Sequence, residues 1–200
     1  MRTESWSVKS LKAGRLHEMR IIAGRFKGRR LVSPRGRDTR PTAARVREAV
    51  FDICGRCCEH AVVADLFAGT GAFGLEALSR GADYSLFIDS SPASVSLVRK
   101  NISACRMEAN TKVLLWDAAR SLTCLERFDR QFTLIFADPP YGSGLVSKTL
   151  KNLSASRAVS AGARVILEHA AKEIVSLPEN LVLVDRRRYG RTVVTFLEKS

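Results

Sequence analysis

From Ala61 onward the chain repeats one pattern, a short apolar run followed by a longer amphipathic one. "AVVADLF" (61–67), "YSLFID" (84–89), "TKVLLWD" (111–117), "QFTLIFAD" (131–138) and "ARVILEHA" (163–170) read as buried strands. Between them, "GAFGLEALSRG" (71–81), "SPASVSLVRKNISACR" (91–106), "AARSLTCLER" (118–127) and "LVSKTLKNLSAS" (145–156) read as helices. Ser91 and Pro92 suit an N-cap and a first helical position. Parallel strands need crossover helices, so the pattern predicts an α/β fold with a doubly wound, mostly parallel sheet and helices on both faces. "LVLVDRRRYGRTVVTFLEK" (181–199) breaks the pattern. It reads as two strands around Tyr189-Gly190, hence a C-terminal antiparallel hairpin, for seven strands in all.

The residues before Ala61 are different. Residues 1–18 lack a period and are expected to form a disordered leader. "RIIAGRFKGRRLVSP" (20–34) suggests a small hairpin turning near Lys27-Gly28. A helix is predicted from Pro41, with Val46, Val50 and Ile53 on one face. The expected organisation is therefore a leader (1–18), a small basic N-terminal arm (19–55) and a main domain (56–200). Charge follows that division. Residues 1–60 hold 15 Lys and Arg against 6 Asp and Glu, and residues 61–200 hold 18 against 14. A basic, Arg-rich arm on a near-balanced domain points to a polyanion, since Arg suits bidentate phosphate contacts and stacking on bases. No apolar run approaches the ~20 residues of a membrane span, and the first residues lack the apolar core of a secretory signal. A cytoplasmic protein is expected. "CGRCCEH" (54–60) offers potential zinc ligands but no second pair at finger spacing, so no metal is expected.

In such a sheet, ligands bind beyond the carboxyl ends of the strands, at the switch in strand order. The candidate site is therefore read from the strand ends: Asp65-Leu66-Phe67-Ala68-Gly69-Thr70-Gly71, then Asp89, Asp117, and Asp138-Pro139-Pro140-Tyr141. "GTGAFG" (69–74) fits a glycine-rich nucleotide turn, and Asp89 stands where an acid would bind ribose hydroxyls. The "DLFAGTG" form leans toward S-adenosylmethionine rather than NAD. Asp65, Phe67, Gly69, Gly71 and Asp89 would then form the cofactor site, with Asp117 reaching the adenine amino group. "DPPY" suits a planar amine, whose nitrogen lone pair is delocalised into the ring. Two acceptors in line with the N–H bonds, the Asp138 carboxylate and the Pro139 carbonyl, would draw that nitrogen toward tetrahedral geometry. Tyr141 would offer a face for stacking, worth ~1–3 kcal/mol.

"DLFAGTGAFGLEALSRGA" followed by "DPPY" resembles the class I S-adenosylmethionine-dependent amino-methyltransferases. "MRIIAGRFKGRRLVSP" and "TRPTAARVREAVFDI" resemble, more narrowly, the bacterial RsmD family. The resemblance runs from about Met19 to Phe196 and implies a Rossmann-like methyltransferase domain. It implies methyl transfer to N2 of a guanine in small-subunit (16S) ribosomal RNA, within the small ribosomal subunit or an assembly intermediate. It carries over Asp138, Pro139, Pro140 and Tyr141 as catalytic residues, and Asp65, Gly69, Gly71, Asp89 and Asp117 as cofactor residues. Arg40, Pro41 and Thr42 would lie near the cofactor and the incoming base. Arg29, Arg30, Arg37, Arg40 and Thr42 are the expected rRNA contacts. The sequence departs from the family pattern at Ala44, where an acid is expected, and at Asp89, where Glu is common.

Other readings stay open on the residues alone. An adenine-N6 DNA methyltransferase shares DPPY but usually needs a target-recognition insert, which this chain lacks. Glutamine-N5 methylation favours Asn at the position of Asp138. A non-catalytic RNA-binding or ribosome-assembly protein would not need the full set of acids, glycines and DPPY. An NAD oxidoreductase would need a hydride-transfer partner that no strand end supplies. Nothing indicates an oligomer, so a monomer is expected.

Overall fold

The computed structural model describes residues 19–33, 41–142 and 144–200, with residues 41–43 described as backbone alone. The strands are β1 (Val62–Leu66), β2 (Tyr84–Asp89), β3 (Thr111–Leu115), β4 (Phe132–Ala137), β5 (Val159–Ala170), β6 (Leu181–Tyr189) and β7 (Thr192–Lys199). The helices are α1 (Pro41–Cys54), α2 (Ala72–Ser79), α3 (Pro92–Cys105) and α4 (Leu145–Ala155). The strands form one sheet in the order β3-β2-β1-β4-β5-β7-β6. β3 through β5 are parallel, and β7 runs antiparallel to both β5 and β6. The chain starts in the middle, winds outward through β3, then returns to β4 beside β1. The β1–β4 boundary is thus the switch point where a crevice opens.

Both faces of the sheet are covered, which is why its central strands are apolar on both sides. On one face α1, α2 and α3 pack Val50, Phe51, Leu75 and Val98 against Val63, Phe87 and Phe136. On the other, α4 and the segment after β3 pack Leu150, Leu153, Leu122 and Leu125 against Ile135, Val165 and Leu86. Gly74 allows the close approach of α2 to β2, since a Cβ there would lie 2.4 Å from the Phe87 ring. α3 opens as expected, with Ser91 accepting from the Ser94 amide and Pro92 at the first helical turn.

Three expectations need correction. "AARSLTCLER" forms no α-helix, only turns and a short 3-10 segment at Leu125–Arg127. The Asp117 carboxylate accepts from the amides of Ala119 and Arg120, and the Ser121 hydroxyl accepts from the Thr123 amide. These side chains compete for the backbone groups a helix would use. The buried stripe of α1 continues from Val50 to Cys54, while Ile53 is exposed. The N-terminal hairpin is present, with Arg20 bridged to Arg30 and the Ile21, Gly28 and Leu31 amides bonded to the Arg29, Ile21 and Met19 carbonyls, but its turn spans residues 22–27 rather than centring on Lys27-Gly28, with Gly24 and Gly28 at φ +80° and +81°.

That arm is clamped to the helical face by groups buried inside it. Glu76 of α2, fully buried, accepts from the amides of Ile22 (2.7 Å) and Ala23 (3.0 Å) and from Arg80 Nε (2.8 Å). Ser79 accepts from the Arg25 amide at its carbonyl and from the Phe26 amide at its hydroxyl. A Cβ on Gly24 would sit 1.9 Å from the Ser79 carbonyl oxygen, so only glycine passes there. Asn101 of α3, also buried, exchanges two hydrogen bonds with the Val32 backbone and donates to the Thr70 carbonyl at 2.8 Å.

Candidate active site

The register sets the site. Leu66 of β1 pairs with both Ile88 of β2 and Ala137 of β4, and Ala137 pairs with Leu167 of β5. One residue further on come Asp89, Phe67, Asp138 and Glu168, side by side at the carboxyl ends of four neighbouring strands. The row lies at the carboxyl edge and straddles the switch point.

On the β1–β2 side the chain turns sharply. Phe67 adopts φ +68°, a conformation costing on the order of 1–3 kcal/mol for a non-glycine residue. Gly69 and Gly71 follow at +54° and +76°. Asp89 holds this turn: its Oδ2 accepts from the Gly69 amide and its Oδ1 from the Ser91 amide, both at 2.8 Å. Each oxygen keeps a second lone pair for another donor. Asp65 lies beneath, 3% exposed, accepting from the Gly74 amide at 3.0 Å. Burial, with the nearby Asp89 charge adding, pushes its pKa up to about 7. Asp117 lies beyond β3, exposed, with one oxygen committed to its own turn.

On the β4–β5 side, Pro139 is buried while Asp138, Pro140 and Tyr141 face outward. Tyr141, 50% exposed, is fixed by its hydroxyl, which donates to Glu168 Oε1 at 3.1 Å and lies 3.0 Å from Thr192 Oγ1. With its single proton given to Glu168, the phenol accepts from Thr192. Burial pushes its pKa up to about 12, and the carboxylates of Glu168 and Asp138 add to that. Burial also raises Glu168. Beneath the row, Phe73 stacks on Phe136 at 5.1 Å, and Phe51 closes the cluster.

The structure thus brings together Asp65, Phe67, Gly69, Gly71 and Asp89 on one side and Asp138 to Tyr141 on the other. Arg29 lies apart from this row: it donates to the Ala104 carbonyl near the end of α3 and stacks on Phe26. Arg30 is exposed on the arm. Arg37 and Arg40 lie outside the described residues, as does the Thr42 side chain. Glu168 and Thr192 were missed by sequence reasoning. The signal for Glu168 was present, because it is the acid at the end of the fifth strand. Among the described residues, no group of three or more His, Cys, Asp or Glu is arranged to hold a metal. Cys57 instead sits between Cys54 and Cys58, whose thiols, with Arg164 and Arg80 nearby, lower its pKa. Nor is any described helix long and apolar enough to cross a membrane.

A central switch point, a glycine turn held by an acid on the next strand, an acid-Pro-Pro-aromatic end on β4 and a reversed β7 together define a class I methyltransferase fold. Comparison with known proteins narrows the class. The family model described as "Conserved hypothetical protein 95" matches residues 19–198. Ribosomal RNA small subunit methyltransferase D of Escherichia coli K12 is 30% identical, covering 92% of this chain and 91% of its own. YlbH of Bacillus subtilis is 33% identical, covering 90% of this chain and 99% of its own. The solved structure of yhhF from Escherichia coli superposes with a TM-score of 0.80 at 29% identity, covering 92% of this chain and 98% of that one. The chain belongs to the RsmD family.

Proposed function

We propose that this protein transfers a methyl group from S-adenosylmethionine to the exocyclic N2 amine of a guanine in 16S ribosomal RNA. The observation that carries this is the row at the carboxyl edge, where Asp138 and a braced Tyr141 stand across the switch point from the Asp89–Gly69 turn. The names of the relatives support an rRNA substrate.

The residues fit the cofactor. A side chain built on Gly69 would meet nothing closer than the Phe67 carbonyl oxygen at 3.9 Å, so the turn faces open space. Asp89 has acceptor capacity left for two ribose hydroxyls, while the buried Asp65 holds the Gly74 amide beneath the turn. Asp117 offers its second oxygen to an adenine amino group. When bound, S-adenosylmethionine supplies an electrophilic methyl on a sulfonium.

The chain's own groups prepare the amine. Asp138 and the Pro139 carbonyl accept its two N–H bonds and hold the nitrogen lone pair out of conjugation. Proline's fixed φ presets that carbonyl, and Pro140 keeps the following turn extended. Tyr141, neutral at physiological pH, stacks on the base while Glu168 and Thr192 lock its ring. Asp138 needs to take the proton only after the methyl has transferred, when the nitrogen has become strongly acidic. Positioning and electrostatics therefore carry most of the acceleration. The base is flipped into this pocket, and the arm, through Arg29, Arg30, Arg37, Arg40 and Thr42, contacts rRNA phosphates. The protein acts as a cytoplasmic monomer on the small subunit or its assembly intermediate.

The test is methyl transfer from labelled cofactor to small subunits lacking the modification, with naked rRNA and duplex DNA in parallel and the product nucleoside identified by mass spectrometry. N2-methylguanosine from rRNA is expected. N6-methyladenine from DNA would retain the pocket and replace the substrate.

A further inference from the structure

We propose that the β6–β7 hairpin is a second grip on the RNA, with Arg186, Arg188 and Arg191 holding phosphates beside the amine pocket. This rests on the RNA-methyltransferase reading above and adds residues that sequence reasoning left unassigned.

Position comes first. β6 runs parallel to β5, so its last residue, Tyr189, reaches the carboxyl edge where the site opens. The turn at Gly190 returns the chain into Thr192, whose hydroxyl lies 3.0 Å from that of Tyr141. The Arg191 carbonyl accepts from the Ala171 amide at 2.9 Å, which ties the hairpin tip to the end of β5. The tip is thus part of the wall that holds the stacking ring.

Charge comes second. Residues 185–191 hold Arg186, Arg187, Arg188 and Arg191 against Asp185 alone. Asp185 is committed to Arg187 at 2.9 Å. Arg186, Arg188 and Arg191 are all exposed, and among the described residues none of them is paired with a carboxylate. Arg188 Nε donates to the Gly190 carbonyl at 2.9 Å, which fixes its guanidinium over the turn with four further N–H donors to offer. Among the described residues β6 is the edge strand, and no further described strand covers this end. Arg186 pairs in register with Thr195 and Arg188 with Val193, so both project to the same face, about 6.7 Å apart.

An RNA strand is the occupant these features favour. A base stacked on Tyr141 is covalently tied to its own flanking phosphates, and flipping it outward leaves them at the pocket rim. Unpaired guanidinium groups, one of them already oriented, meet that chemistry directly.

The test uses the full chain carrying R186A, R188A and R191A together, with a Lys version of the same three. Binding to a 16S rRNA fragment is measured across a salt series with cofactor present, beside cofactor affinity and methyl-transfer kinetics. The Ala variant is expected to lose at least about tenfold in RNA affinity, and its log–log salt slope to shrink by about 2. KM for RNA should rise while kcat and cofactor affinity stay within about twofold, and the Lys version should recover most of the slope. Wild-type RNA affinity and slope in an Ala variant that still binds cofactor would overturn the grip, as would a loss confined to kcat. A wild-type chain that methylates DNA and not rRNA would instead sink the parent reading and the RNA occupant with it.

Discussion

The two halves of the proposed site, a cofactor half and an amine half, are built in opposite ways. On the cofactor half, every acid is already engaged by backbone: Asp65 by Gly74, Asp89 by Gly69 and Ser91, Asp117 by Ala119 and Arg120. The first stretch of the arm, residues 22–32, is bolted to this half through Glu76, Ser79 and Asn101. On the amine half, Asp138 and Tyr141 stand out at the surface, and Tyr141 is steadied by one hydroxyl. The hairpin belongs to this half and keeps its arginines outward. In the proposed reading, a small cofactor would be met by a preassembled socket, whereas a target base on a large RNA would meet an open, braced platform.

The comparison breaks first at Asp138. Asp138→Ala should lower turnover by roughly 10²–10³-fold, the scale of losing one aligned electrostatic partner. Cofactor affinity by calorimetry should barely move. Normal turnover would mean that the amine half does not work through this carboxylate.

Glu76→Ala should next expose the arm's dependence on the cofactor half. It strips the acceptor from two amides and from Arg80 at a site with no solvent, at a cost of about 3–5 kcal/mol. Denaturant midpoints would show it, and cleavage by trypsin at Arg20 and Arg25 should speed up. Unchanged stability would mean that the arm holds without this clamp.

Asp65 gives the cofactor half a pH dependence. Its folded pKa lies near 7, above the ordinary 3.8, so the native state keeps a proton that the unfolded chain has released. Its contribution is intact below about pH 4 and is lost as pH rises through about 7, on the order of a few kcal/mol. Asp65→Asn keeps an acceptor for Gly74 and should flatten that window in melts at pH 5 and pH 8. An unchanged profile would assign the titration elsewhere.

The smallest effect belongs to Tyr141→Phe. The ring stays and its two hydroxyl bonds go, which should cost about 1 kcal/mol and lower kcat/KM roughly fivefold. A loss as large as that of Asp138→Ala would make the phenol, rather than the ring, the working group.

The fold was legible in the sequence because its signals are local and periodic. The runs before Asp65, Asp89 and Asp138 are apolar on both sides since helices cover both faces, and the glycines sit where the chain must turn. "AARSLTCLER" misled because its spacing of Leu122 and Leu125 is helical while Asp117, Ser121 and Thr123 bond the backbone locally. The clamp was not legible. Glu76, Ser79 and Asn101 occupy positions that look solvent-facing in an amphipathic pattern, and their partners lie 53–69 residues away. The site was half legible: acids at strand ends could be listed, but Thr192 acts across a strand pair that only the register reveals.

Asn101 joins two things that a diagram of domains would keep separate. Its carboxamide holds Val32, the last stretch of the arm before residue 34, and the Thr70 carbonyl of the glycine turn. The two cannot shift apart without breaking buried bonds at a pin shared by both. Mechanically, the glycine turn and the Val32 stretch of the arm share one anchor, so a pull on that stretch is felt at the turn.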